Sequence, residues 1–179
     1  MKIDIVEEIE IPEKVTVASG KTLDVKGPKG EVKRSFKDTR VSCHVEGKKI
    51  VLKSSKATKR EKKRLYTYIA HIKNMIHGVT EGHYYELKSC AAHFPMNVAV
   101  AGKQLVIKNF LGEHVPRTMP LREGVTIKVT GDIIRVESAD KELAGMTASD
   151  IELLTRIKDH DRRIFQDGCY IISRGGKGL

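Results

Sequence analysis

GKTLDVKGPKGE (Gly20–Glu31) and GKQLVIKNFLGE (Gly102–Glu113) decide how this chain is organised. Laid over one another at a shift of 82 residues, they share Gly, Lys, Leu, Lys, Gly and Glu in register. Further on, VSCHVEGKKIVLKS from Val41 falls on VTIKVTGDIIRVES from Val125 at a shift of 84, matching Val41/Val125, Val45/Val129, Gly47/Gly131, Ile50/Ile134 and Ser54/Ser138. The blocks recur in the same order, which points to internal duplication.

Each block alternates apolar and polar residues around a glycine turn. Val98 and Val100 lead to Gly102 and then to Leu105 and Ile107; Val125, Ile127 and Val129 lead to Gly131 and then to Ile134 and Val136. A period of two with one apolar face predicts hairpins buried on one side. A helix should follow in each half, opened by Thr58 with Glu61 and by Thr147 with Asp150, pairs whose side chains can satisfy free amides reciprocally. In the first, Leu65, Ile69, Ile72 and Ile76 form one stripe and Gly78 provides the stop; in the second, Ile151, Leu154 and Ile157 repeat the pattern. The expected fold is α+β: two tandem copies of a small antiparallel sheet covered on one face by a helix. Residues 1–81 form the first copy, and 82–179 the second with a basic, Gly-rich C-terminal extension.

The 179 residues carry 33 Lys and Arg against 23 Asp and Glu, a formal net charge of +10, which favours a polyanionic partner. No run of about 18 apolar residues is present, and the acidic start MKIDIVEEIE is unlike a signal peptide, so a cytoplasmic protein without a membrane partner is expected. Cys43, Cys90 and Cys169 are odd in number and far apart, as suits reduced, buried thiols rather than a disulfide framework or a zinc site. The absence of Trp and the scarcity of aromatics argue against a single-strand binder built on stacking platforms. Neither KGPKGEVK nor SRGGKGL has the spacing of a phosphate-binding loop, His71 and His77 do not form a zinc helix, and no G-x-S-x-G turn occurs. No catalytic residue, cofactor or metal is expected.

Three basic stretches remain. KSSKATKREKKR (Lys53–Arg64) opens the first helix with cations, although the helix dipole disfavours positive charge there; a solvated face and a partner-facing one both fit. The stretch from Arg156 to Leu179 ends in DGCYIISRGGKGL, with arginines suited to bidentate phosphate contacts and glycines that let backbone lie close to another surface. NFLGEHVPRTMPLREG (Asn109–Gly124) is read as a connection between the hairpins of the second half, stiffened by Pro116 and Pro120 and presenting Arg117 and Arg122.

The paired halves, GVTEG at Gly78–Gly82, NFLGEHVPR and the DGCYIISRGGKGL ending together resemble the L-six family of large-subunit ribosomal proteins in its archaeal and eukaryotic cytoplasmic form. The resemblance spans essentially the whole chain. In bacterial members a Lys/Gly tract follows a Pro-containing turn after the second helix; here Asp159–Arg163 replace that turn and the tract lies at the end. What the resemblance implies is a non-catalytic ribosomal protein bound to large-subunit ribosomal RNA, not DNA, near the sarcin–ricin loop and the stalk base. Ribosomal proteins would be its neighbours, and translational GTPases would dock nearby.

In that family the second domain and its extension carry most of the RNA contact. Charge is distributed otherwise: the chain through Thr80 has 19 Lys and Arg against 10 Asp and Glu, the remainder 14 against 13. The expected RNA-binding residues are Arg156, Lys158, Arg162, Arg163, Arg174, Gly175, Gly176 and Lys177, converging on one face, with Arg117, Arg122, Lys103 and Lys108 behind them. Lys103 and Lys108 match Lys21 and Lys26 of the first copy and so read equally as inherited surface positions. Loss of Gly168–Leu179 should weaken RNA binding. The alternative reading is a free protein–protein interaction module using exposed sheet edges.

Overall fold

The computed structural model describes residues 3–20, 22–36, 40–175 and 177–178. The chain divides into two units, Met1–Gly82 and His83–Leu179.

In the first unit β1 (Ile3–Glu10) is followed by the meander β2 (Thr16–Ser19), β3 (Leu23–Gly27) and β4 (Gly30–Arg34), then by the hairpin β5 (Ser42–Glu46) and β6 (Lys49–Ala57) and the helix α1 (Lys59–Thr80). Two antiparallel sheets result, ordered β1-β6-β5 and β2-β3-β4. Leu65, Ile69, Ile72, Met75 and Ile76 form the buried stripe of α1, and Val25, Ile50 and Leu52 are buried in the sheets. Each such side chain contributes about 1.5–3 kcal/mol of burial. The helix starts where the sequence places it. Thr58 caps the Arg60 amide, and the Glu61 carboxylate accepts from the Thr58 backbone, completing the capping box. It ends later than expected. Gly78 is buried inside the helix, and the chain leaves it through Glu81 and Gly82, whose φ of +84° suits glycine. Glycine is also required at Gly27, where a Cβ would lie 2.7 Å from the Val79 carbonyl oxygen.

The second unit repeats the plan. β7 (His83–Cys90) precedes the meander β8 (Asn97–Ala101), β9 (Gln104–Lys108) and β10 (Arg117–Pro120); the hairpin β11 (Val125–Thr130) and β12 (Ile133–Ser138) leads into α2 (Lys141–Leu154). To this it adds β13 (Gly168–Arg174) and β14 (Lys177–Gly178), giving sheets ordered β11-β12-β7-β13-β14 and β10-β9-β8. Both units therefore share the order first strand, sixth strand, fifth strand, and both carry a separate three-stranded meander. The core gathers Leu87, Leu105, Ile107, Phe110, Ile134, Val136, Ala148, Ile151 and Cys169.

Two local expectations are corrected. The second helix begins seven residues earlier than the Thr147–Asp150 pair suggests. Its cap is Asp140, whose carboxylate accepts from the Glu142 amide at 2.8 Å, while Thr147 is buried mid-helix and donates to the Leu143 carbonyl. The stripe joins Ile151 to Ala144, Thr147 and Ala148, three small residues that do not announce a helical face, and Ile157 lies beyond the helix end. Asn109–Gly124 is not merely a connection: Phe110–Gly112 form a 3₁₀ turn, and β10 pairs with β9 from Arg117 against Ile107 to Pro120 against Gln104.

Candidate nucleic-acid interface

The segment from Thr155 to Gly175 is pinned at several points. α2 ends at Leu154, and the Thr155 hydroxyl both donates to the Glu152 carbonyl at 3.2 Å and accepts from the Cys169 amide at 2.9 Å. The helix end is thereby tied to the start of β13. A second tie is the buried Asp167 carboxylate, which accepts from the His93 ring Nδ1 at 2.7 Å, from the His93 amide at 3.2 Å and from the Ala92 amide. Burial pushes this carboxyl upward, but the His93 ring and the two amides outweigh it and hold the group below its ordinary range. Phe165 stacks on the His93 ring with centroids 4.6 Å apart and meets the His160 ring at 4.7 Å. Between the ties, Asp161 winds a turn, its carbonyl accepting from Ile164 and Phe165 and its carboxylate from the Arg163 amide.

This scaffold presents cations outward. Arg156, Lys158, Arg162 and Arg163 are all exposed, Arg163 with a carboxylate oxygen of Asp161 at 3.8 Å. Arg156 and Arg162 line one shallow depression together with Glu152, Leu153, Thr155, Ile157 and Tyr170. Burial raises the Tyr170 phenol above its ordinary value although Arg162 opposes the shift, so the hydroxyl stays protonated. Two guanidiniums beside an aromatic face and a hydroxyl can hold phosphates and support a sugar or base edge.

The expected convergence is only partial. Arg174 lies four residues along β13 from Tyr170, about 13 Å at strand spacing, where it pairs in register with Lys177 and Tyr85. The cations fall into two groups: the loop after α2, and the β13–β14 hairpin. Gly175 turns that hairpin with φ +61° and donates to the Tyr84 carbonyl. Gly176 lies outside the described residues, as does the Lys177 side chain.

The second-rank residues are placed differently. Arg117 is engaged within the protein: Nε and one terminal nitrogen donate to the two Glu113 carboxylate oxygens at 2.8 and 2.5 Å, and the other donates to the Leu154 carbonyl at 2.7 Å. Its guanidinium also sits 4.2 Å from the Phe110 ring centroid. It locks the 3₁₀ turn to the end of α2, with its side chain 26% exposed. Arg122 meets Asp150 at 2.8 Å on the surface. Lys103 and Lys108 are exposed at opposite ends of β9.

Sequence reasoning missed Thr155, Asp167, His93, Phe165 and Tyr170. Tyr170 carries a signal, since it lies in the short apolar run Cys169–Ile172. The Asp167–His93 pair spans 74 residues and carries none. The thiols are free; burial pushes Cys169 up to about 12, whereas Cys43 and Cys90 are only half-buried. Among the described residues no group of His, Cys, Asp or Glu could hold a metal, and no helix is long and apolar enough to cross a membrane.

Fold and surface define a class: a duplicated α+β protein whose second copy carries an added strand hairpin and an outward-facing cationic loop. The family described as ribosomal protein L6 matches residues 11–82 and 94–168, one stretch in each unit. The chain belongs to that ribosomal protein family. It is similar to the large ribosomal subunit protein uL6 of Methanococcus vannielii, 44% identical over 174 residues, covering 97% of this chain and 96% of that one. The uL6 protein of Methanocella arvoryzae is 43% identical over 176 residues, covering 97% and 99%.

Proposed function

We propose that this chain is a structural, non-catalytic component of the large ribosomal subunit in the cytoplasm, holding ribosomal RNA near the sarcin–ricin loop and the stalk base. There it would lie among other ribosomal proteins and support the region where translational GTPases dock. The observation that carries the RNA-binding part is the depression in which Arg156 and Arg162 flank Tyr170, on a loop fastened by Thr155 and Asp167. Such a fastened loop presents its cations without ordering them at the moment of binding, which limits the entropic cost of association. Lys158 and Arg163 extend the loop's charge, and Arg174, Gly175, Gly176 and Lys177 provide a second contact at the hairpin. Recognition rests on phosphates, 2′-hydroxyls and shape rather than on base sequence.

The test is equilibrium binding of the full chain to a large-subunit RNA fragment carrying the sarcin–ricin hairpin, titrated with salt against an unrelated RNA duplex. The expected result is an affinity that falls steeply with salt, with the cognate fragment favoured by at least about tenfold, equivalent to 1.4 kcal/mol. Arg156→Gln/Arg162→Gln should remove most of that preference. Binding nearly independent of salt, or a double variant that binds as the parent does, would overturn the assignment.

A further inference from the structure

The first unit contains a second cationic depression that the reading above leaves unused. It is lined by Arg40, Ser42, Lys53, Ser55, Lys56, Thr58 and Glu61, with no apolar side chain among them. We propose that this depression and its rim form a separate face for the phosphate backbone of duplex RNA.

The backbone here is built to present charge. β6 loses register with β1 near its end, and Lys56 adopts a left-handed conformation, φ +49°, with its amide donating to the Asp4 carboxylate at 2.6 Å. A lysine in that region is unusual and is held there by the surrounding bonds. Three residues later α1 begins, and Lys59 and Arg60 are its first residues. Both are exposed beside Thr58, which lines the depression, and helical side chains lean toward the N-terminus.

The helix end itself is not the site, because Thr58 and Glu61 already occupy its cap. Among the described lining residues Glu61 is the only carboxylate, and it is taken up by Thr58 and by Arg40 at 2.8 Å. Several other lysines of this unit have acidic partners, Lys26 and Lys33 with Glu31, Lys48 with Glu13 and Lys49 with Glu8, and within the lining itself Lys53 meets Glu46 at 3.5 Å. Among the described residues no carboxylate pairs with Lys56, Lys59, Arg60 or Lys63, all of them exposed. Clustering unpaired cations at the positive end of a helix opposes stability.

The lining also selects the partner. A protein interface would be expected to offer an apolar or aromatic core, and single-stranded nucleic acid would be expected to find stacking rings; the described lining residues supply neither. Lysines, one arginine and the free hydroxyl of Ser55 fit a ladder of phosphates.

The experiment uses the full chain and a 16-base-pair RNA duplex of arbitrary sequence, with polyglutamate as competitor. Lys56→Asn/Lys59→Gln/Arg60→Gln removes three cations while asparagine keeps the left-handed preference. Expected are at least a tenfold loss of affinity at low salt and a fall of about 2 to 3 in the slope of log affinity against log salt. The charge-conserving variant Lys56→Arg/Lys59→Arg/Arg60→Lys should bind as the parent does, and the neutral variant should melt no lower, since the helix dipole is relieved. An unchanged slope would overturn the proposal. So would a loss of binding reproduced by the charge-conserving variant, or polyglutamate displacing the duplex at equal charge concentration. Arg156→Gln/Arg162→Gln is measured alongside, so that failure of the second-unit site is read separately.

Discussion

In the first unit β1 is the outer strand of its sheet, whereas in the second unit its counterpart β7 lies between β12 and β13. The shared topology thus ends in two different edges. The β1 edge is blunted by charge, with Asp4, Glu7, Glu8 and Glu10 along eight residues, a device that discourages pairing with another chain. The β7 edge is closed by the returning chain, and the same addition positions the loop whose cations face outward. A duplicated fold has here been specialised by extending one copy after its helix.

The strongest way to break that comparison is to remove the extension. The sequence alone suggests that losing Gly168–Leu179 tests RNA binding; the structure shows that the deletion also takes Cys169 from the core, Ile171 from its margin, and the whole β7–β13 ladder. Such a loss is on the scale of the whole stability of a small domain, about 5–15 kcal/mol. The truncated second unit should therefore lose cooperative unfolding while the first retains it, as separate transitions in calorimetry will show. The hairpin's RNA role is tested instead with Arg174→Gln/Lys177→Gln in an intact strand.

A milder probe compares interior with edge. Leu87 is fully buried on β7, opposite Ile134 on one side and Ile171 on the other. Leu87→Ala should cost about 2–5 kcal/mol. Ile5→Ala, on the half-buried outer strand β1, should cost about 1 kcal/mol. Urea unfolding of each variant measures both, and equal losses would mean that β13 adds nothing to the packing of β7.

Acid sharpens the same contrast, because each unit has a buried carboxylate that ties distant segments together. Hydrogen bonds from Thr58 and Arg40 hold Glu61 down from 4.5 to about 2, and Asp167 is held low by His93 and Ala92 against its burial. A carboxyl with a depressed folded-state pKa stabilises the fold above its unfolded value and loses that contribution as pH falls through the folded one. Stability contributed by Glu61 is therefore complete above about pH 5 and lost toward pH 2. Glu61→Gln should flatten the acid dependence of the first unit alone, and Asp167→Asn that of the second, read from amide exchange in each unit.

The duplication, the hairpins and the first helix cap were legible because each is local: a period of two, a glycine at the turn, a capping box within four residues. What escaped depends on distance. Arg117 looks like a cation on display until Glu113, Leu154 and Phe110 are seen to absorb it. The scaffold of the cationic loop rests on Asp167 meeting residues 74 and 75 positions away, and no spacing rule connects them.

The start of the second helix is the instructive error, and it yields the smallest effect. Thr147 with Asp150 satisfies the same four-residue pattern as Thr58 with Glu61, but Asp140 lies 82 residues after Thr58, the shift that relates Gly20 to Gly102. The adjoining hairpins are related by 84, which points to Glu142, so the repeat places the helix start within two residues where the motif misses it by seven. The hydroxyl of Thr147 donates only to a carbonyl one turn back, a group the helix already uses. Asp140 instead satisfies an amide with no partner inside the helix. Asp140→Ala should cost about 1 kcal/mol. Thr147→Val, which keeps the buried shape, should cost no more than about 0.5 kcal/mol. If chemical denaturation ranked the two in the opposite order, the helix in solution would begin where the motif placed it.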